Sequence, residues 1–261
     1  MKQRSFNVLG NVAIVNFDKS FKLNEKKKFA KEIIKNNKSV KTVLEKSGNF
    51  KGRLRKMKTL VLAGEKSKEV LYKENGCVFR FNVDETYFSP RLSNERKEIT
   101  SEIKKDDEVL VMFAGVAPLP IVIAKNSKAK IVYSNEINRK ANEYAELNIG
   151  KNKVKEKVFL IPGDVKKVAK KLKEQKKKFD VIAMPRPQLK DSFLEQAFML
   201  SKKGTRIYYY DFCLIEDLDK IVEKVKQEAK KAKKKIKILK IKNAGELAPY
   251  KIRCRVDFRV L

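Results

Sequence analysis

Gly115 and Glu136 are the residues whose types and spacing point most directly to chemistry. Gly115 sits in the turn Ala114-Gly115-Val116-Ala117-Pro118, after the apolar run Val109 to Phe113 and before a short apolar helix, Leu119 to Lys125. Glu136 follows the next apolar run, Lys130 to Tyr133. In an alternating strand–helix fold that order sets a turn against a ligand and a carboxylate against its ribose. A dinucleotide site prefers G-x-G-x-x-G, because the backbone must approach a pyrophosphate at a helix N-terminus. This turn has one glycine and no Walker lysine, which removes the P-loop reading. It suits a nucleoside ligand without a pyrophosphate, such as S-adenosyl-L-methionine. Glu136 would then accept from both ribose hydroxyls, and Asp164, after Gly163, would meet the adenine amino group. Either acid alone could be an ordinary cap; their recurrence at successive strand ends makes the pattern more specific.

These residues must be carried by a doubly wound sheet. From about residue 85 the pattern alternates, with strands expected at 109–113, 130–134, 157–161, 179–184, 205–212, 236–241 and 252–260. Helices are expected at 118–125, 138–149, 165–175, 190–201 and 214–234. Only Asn243 to Tyr250 separate the last two strands, too short for a helical crossover, so these pair antiparallel. The reading is an α/β, Rossmann-like domain over 85–261, with a mostly parallel seven-stranded sheet and an antiparallel last strand. Ahead of it, 1–84 reads as a small α+β domain. It has a strand from Phe6 to Phe17 turning at Gly10-Asn11, a helix from Leu23 to Lys35, and strands at Val40–Leu44 and Thr59–Leu62.

Composition narrows the partners. The chain has 63 basic and 32 acidic residues, a net charge of +31, and no histidine. The missing histidine excludes a His-based triad, a His general base and the common zinc sites. The uncompensated lysines attract polyanions, with nucleic acid favoured over an anionic membrane surface. The three cysteines have neither metal nor disulfide spacing, and no apolar run is long enough for a membrane span, so a cytoplasmic monomer is expected. The segment Ser47 to Lys56, with Arg53 and Arg55, is a glycine-punctuated basic loop. A solvated hairpin and a phosphate- or base-contacting arm fit it equally.

The segment Tyr87-Phe88-Ser89-Pro90-Arg91-Leu92-Ser93-Asn94-Glu95-Arg96 resembles the archaeal and eukaryotic tRNA (guanine-37-N1)-methyltransferase family. So do Leu62-Ala63-Gly64-Glu65, Glu74-Asn75-Gly76-Cys77, Phe113-Ala114-Gly115-Val116, Glu136-Ile137-Asn138 and Gly163-Asp164. The resemblance runs from about residue 6 to 261 and finds no counterpart to the family's usual extra N-terminal domain. It implies a class I fold, S-adenosyl-L-methionine as cofactor and the tRNA anticodon arm as partner, with methyl transfer to N1 of guanine 37. Cofactor contacts are implied at Phe113, Gly115, Ala117, Glu136, Ile137, Asp164, Met184 and Pro185.

Guanine N1 is a poor nucleophile until its proton leaves, and resemblance gives the general base as Glu95. Charge then builds on O6, and resemblance assigns its stabilisation to Arg55. Tyr87 would stack on the extruded base; Arg91, Arg96, Arg53, Arg186 and Pro187 would meet RNA. Read without the resemblance, Glu95-Arg96 is a helix-start ion pair and Tyr87 a core aromatic. The chain departs from the family's pattern at Ala117, usually glycine, at Leu119, often aromatic, and at Met184-Pro185-Arg186-Pro187-Gln188, where an asparagine usually precedes the prolines. The rival expectations are a wyosine-pathway tRNA transferase, moving an aminocarboxypropyl group or also methylating carbon 7 of a tricyclic precursor, and a tRNA-binding protein without catalysis.

Overall fold

A computed structural model describes residues 4–48, 57–185 and 190–261. The chain divides into two compact units, Met1–Pro90 and Arg91–Leu261.

In the first unit β1 (Arg4–Leu9) and β2 (Val12–Phe17) form a hairpin, and α1 (Leu23–Asn36) crosses to β3 (Thr42–Lys46), parallel to β2. β4 (Thr59–Gly64) completes the sheet order β1-β2-β3-β4. Ala30 and Ile33 of α1 pack on Ala13, Val15, Val43 and Leu62, the single buried face that an amphipathic helix offers a sheet. The turn needs glycine at Gly10: its φ is +59°, and a Cβ would lie 2.0 Å from the Leu71 carbonyl oxygen. A separate hairpin follows, β5 (Glu69–Glu74) and β6 (Cys77–Asn82). Its two-residue turn, Asn75-Gly76, has φ of +47° and +70°, the left-handed pair that a tight hairpin requires. Residues 85–90 fold back onto β6, with Phe88 stacked on Phe81 at 4.7 Å and the Thr86 hydroxyl donating to the Asn82 carbonyl. The unit therefore ends later than the expected 84.

The second unit opens with a 3-10 turn at Pro90–Leu92 and α2 (Ser93–Ser101). The alternation then runs β7 (Glu108–Met112), α3 (Pro118–Asn126), β8 (Ile131–Glu136), α4 (Arg139–Lys151), β9 (Val158–Pro162), α5 (Val165–Glu174), β10 (Phe179–Met184) and α6 (Leu194–Leu200). It closes with β11 (Ser201–Leu214), α7 (Leu218–Lys231), β12 (Ile236–Ala248) and β13 (Lys251–Val260). The sheet order is β12-β13-β11-β10-β7-β8-β9, parallel except that β13 runs antiparallel to both neighbours. The central strands are buried on both faces, which is why β7 and β10 read as continuous apolar runs rather than alternations. β12, at the edge, carries exposed lysines and register shifts that blunt further pairing. Strand order reverses beside β7, so the crevice at the carboxyl ends of β7, β8 and β10 is where such a sheet takes a ligand.

Candidate active site

The turn after β7 is built from left-handed residues. Phe113, Gly115 and Ala117 have φ of +59°, +58° and +62°. Alternating left-handed positions coil the backbone tightly before α3, where Pro118 occupies the first helical position and needs no donor. Ala117 therefore keeps the backbone angles of a glycine, at a cost of about 1–2 kcal/mol for an L residue. The Ala117 amide donates to the Ala114 carbonyl at 3.0 Å, and Asn148 of α4 donates from Nδ2 to the Val116 carbonyl at 3.2 Å.

Glu136, at the end of β8, closes this turn. Its Oε2 accepts from the Gly115 amide at 2.9 Å and its Oε1 from the Asn138 amide at 2.7 Å. Burial pushes its carboxyl up from the ordinary range, while the amides of Asn138, Gly115 and Ile137 pull the other way. Asn135 ties in the next strand end, donating to the carbonyls of Ile161 and Gly163 at 2.8 and 3.1 Å. Asp164 follows as the cap of α5, accepting from the Lys166 amide at 2.8 Å. Gly115, Ala117, Glu136, Ile137 and Asp164 are thus gathered along neighbouring strand ends. Phe113 is half-buried and meets Phe193 edge-on at 5.0 Å. The Met184 side chain lies wholly in the core beside Met112 and Tyr209, and Pro185 follows it half-buried.

Asn142 and Asn148, which no sequence expectation singles out, hold this site together with Asn138. Asn138 caps α4, Asn142 donates to the Glu136 and Asn138 carbonyls at 3.0 Å each, and Asn148 reaches the ligand turn. Their signal was available: Asn138 and Asn142 stand four apart beside Ala141 and Ala145, and a buried helical asparagine needs a partner.

A second constellation surrounds Glu95, on α2 and 6% exposed. Its Oε2 accepts from the Tyr210 hydroxyl at 2.8 Å and from Arg255 Nη1 at 2.7 Å, and its Oε1 pairs with Lys242 Nζ at 2.6 Å. Arg255 is fully buried and forks onto Asp257, Nε to Oδ1 at 2.8 Å and Nη2 to Oδ2 at 2.9 Å. Burial raises the Tyr210 hydroxyl well above its usual range and the Glu95 charge adds to that. Burial works against Lys242, but its bonds to Glu95 and Glu98 raise it. Arg96 is also buried, Arg91 is exposed and Tyr87, in the first unit, is half-buried. Arg53, Arg55, Arg186 and Pro187 lie outside the described residues.

A doubly wound sheet with a coiled turn after its central strand, and an acid closing that turn from the next, defines a Rossmann-like domain of the class I methyltransferase kind. The model of the TRM5/TYW2 methyltransferase domain matches residues 70–239, and that of the TYW2 N-terminal domain matches residues 2–67. The chain belongs to the TRM5/TYW2 methyltransferase family. It is 33% identical over 257 residues to the tRNA (guanine(37)-N(1))-methyltransferase Trm5b of Pyrococcus abyssi, covering 98% of this chain and 74% of that protein. The crystal structure of that Trm5b superposes with a TM-score of 0.85. It is 30% identical to the tRNA (guanine(37)-N(1))/4-demethylwyosine(37)-methyltransferase Taw22 of Nanoarchaeum equitans, covering 98% of this chain and 100% of that protein. The complex of aTrm5 with tRNALeu superposes with a TM-score of 0.86 at 27% identity, covering 98% of this chain and 72% of that one. No helix among the described residues is long and apolar enough to cross a membrane.

Proposed function

We propose that the chain methylates N1 of guanine 37 in the tRNA anticodon loop, using S-adenosyl-L-methionine. The observation that carries this reading is the Glu136 carboxylate held across the Gly115 and Asn138 amides, in a chain of this family. The residues fit the cofactor. The Glu136 carboxylate accepts from the Gly115 and Asn138 amides, with the Ile137 amide also bonded to it, and its two oxygens together accept about four donors, so capacity remains for a ribose hydroxyl. Asp164 at the next strand end would accept from the adenine amino group. S-adenosyl-L-methionine supplies a methyl group on a sulfonium that leaves as a neutral thioether. Glu95 takes the proton from guanine N1, whose electron pair then forms the bond to the methyl carbon. Arg55 stabilises the charge on O6. Tyr87, Arg91 and Arg96, with Arg53, Arg186 and Pro187, contact the RNA around the target base.

Two further readings have specific support. The full-length match to Taw22, named for both substrates, favours an added methylation of a wyosine precursor. The match of residues 2–67 to the TYW2 N-terminal domain favours aminocarboxypropyl transfer. One experiment separates methyl transfer from aminocarboxypropyl transfer. An unmodified tRNA transcript carrying G37 is incubated with cofactor labelled on the methyl or on the carboxyl carbon, then digested to nucleosides. Methyl label in 1-methylguanosine is expected; carboxyl label retained in RNA would overturn the proposal in favour of aminocarboxypropyl transfer. RNA that is bound but unlabelled would indicate a protein without catalysis.

A further inference from the structure

The three strands at one edge of the sheet present donors to a single carboxylate on α2. Tyr210 comes from β11, Lys242 from β12 and Arg255 from β13, and all three converge on Glu95. Glu98, one helical turn on, shares Arg255 Nη2 at 2.8 Å and also pairs with Lys240 and Lys242. Asp257 takes the rest of the guanidinium. Glu95, Glu98 and Asp257 thus face Arg255, Lys242 and Lys240. α3, packed on α2, brings one titratable side chain, the exposed Lys125.

The donors are shared unequally over the two Glu95 oxygens. Oε2 has two donors, Tyr210 and Arg255, which fill the two acceptor positions of a carboxylate oxygen. Oε1 has Lys242, on a side chain 29% exposed at the rim, and among the described residues keeps one position. We propose that Tyr210 and Arg255 are positioning residues: they clamp Oε2 so that Glu95 offers Oε1 as the proton acceptor. The proposal rests on the reading of Glu95 as the base. The proton leaving guanine N1 ends on Oε1 and its electron pair stays on nitrogen.

The test uses the full chain and a G37 tRNA transcript. Tyr210→Phe removes one donor from Oε2 and keeps the ring in the core. With that donor gone Oε2 is held by Arg255 alone, so Oε1 is less well placed for the transfer. The rate at neutral pH should fall about tenfold while tRNA and cofactor dissociation constants stay within about twofold. Arg255→Lys keeps the charge and loses the fork, so its rate should fall further, read beside a thermal melt because the residue is buried. The carboxyl-carbon NMR resonance of Glu95, assigned by its loss in Glu95→Gln, reads the clamp without activity and should move in Tyr210→Phe as the hydrogen bond is lost. A Tyr210→Phe protein that melts earlier but keeps both the single-turnover rate and the Glu95 resonance would overturn the proposal. If the wild type moves no methyl to G37 while the Glu95 resonance still moves in Tyr210→Phe, the assigned reaction falls and the clamp on the carboxylate stands.

Discussion

Two glutamates of the methyltransferase unit are held by opposite means. Glu136 is bound by backbone amides of the turn it closes and of its own strand end, and burial drives its carboxyl up. Glu95 is bound by side chains, two of them cations, delivered from strands over a hundred residues away. An amide-bound acid can take up a proton and keep its place, since the amides are fixed by the fold. A cation-bound acid cannot lose its partner, or be lost by it, without leaving charge in the interior. The ligand turn is therefore robust to charge and sensitive to backbone angle, and the α2 contact the reverse.

The sharpest way to break this contrast is Arg255→Met. It strands Glu95 and Asp257 without their shared cation, and should cost about 3–5 kcal/mol in urea unfolding. Glu95→Gln follows, and its main effect is on rate. Loss of a general base should slow single-turnover transfer about 10²–10⁴-fold, with cofactor and tRNA binding largely kept; loss of cofactor binding instead would mean the residue has another role. Glu136→Gln should lower stability by only about 1 kcal/mol, the worth of an ordinary hydrogen bond, and weaken cofactor binding in calorimetry. Equal damage from Glu136→Gln and Arg255→Met would erase the distinction between the two sites.

The same contrast decides what the sequence could disclose. The ligand turn is local: glycine, the following proline and an acid at the end of the next strand lie within one strand–helix–strand unit. Its asparagine supports, Asn138, Asn142 and Asn148, are equally local to that unit. The β5–β6 hairpin was legible too, since Asn75-Gly76 between alternating apolar residues signals a tight turn. The Met184 side chain could not be placed, because Phe179 to Met184 is near-continuously apolar and no alternation tells which way its last residue faces. Around Glu95 only half the pattern could be read. Glu95, Glu98 and Glu102 mark an acidic stripe at helical spacing, and Tyr208 answers Glu102 at 2.8 Å as Tyr210 answers Glu95. Nothing local says that β11 and β13 supply the partners, because those pairings depend on sheet order.

Glu98 gives a smaller test through pH. Burial would raise its carboxyl, but Lys240, Lys242 and Arg255 outweigh that and hold it at about 2 against an ordinary 4.5. Its folded pKa is depressed, so its contribution to stability is full above 4.5 and is lost as pH falls towards about 2. Glu98→Gln should be less stable than the wild type at pH 6, with the gap closing between pH 4.5 and 2. A gap that persisted at pH 2 would mean that α2 is held there by packing rather than by charge.

The smallest effect is expected at Ala117, and its smallness is the point. Glycine there would remove about 1–2 kcal/mol of left-handed strain. Against this stand about 0.8 kcal/mol for a buried methyl group and about 0.4–1 kcal/mol for the greater freedom of the unfolded chain. These terms nearly cancel, so Ala117→Gly should change the unfolding free energy by less than about 1 kcal/mol. Cofactor affinity then becomes the telling measurement. Ala117 is fully buried and its amide is already bound to Ala114, so its methyl group faces protein and affinity should stay within about threefold. A gain of tenfold or more would mean that the methyl group intrudes on the ligand, and that this turn, like the α2 contact, is limited by a side chain after all.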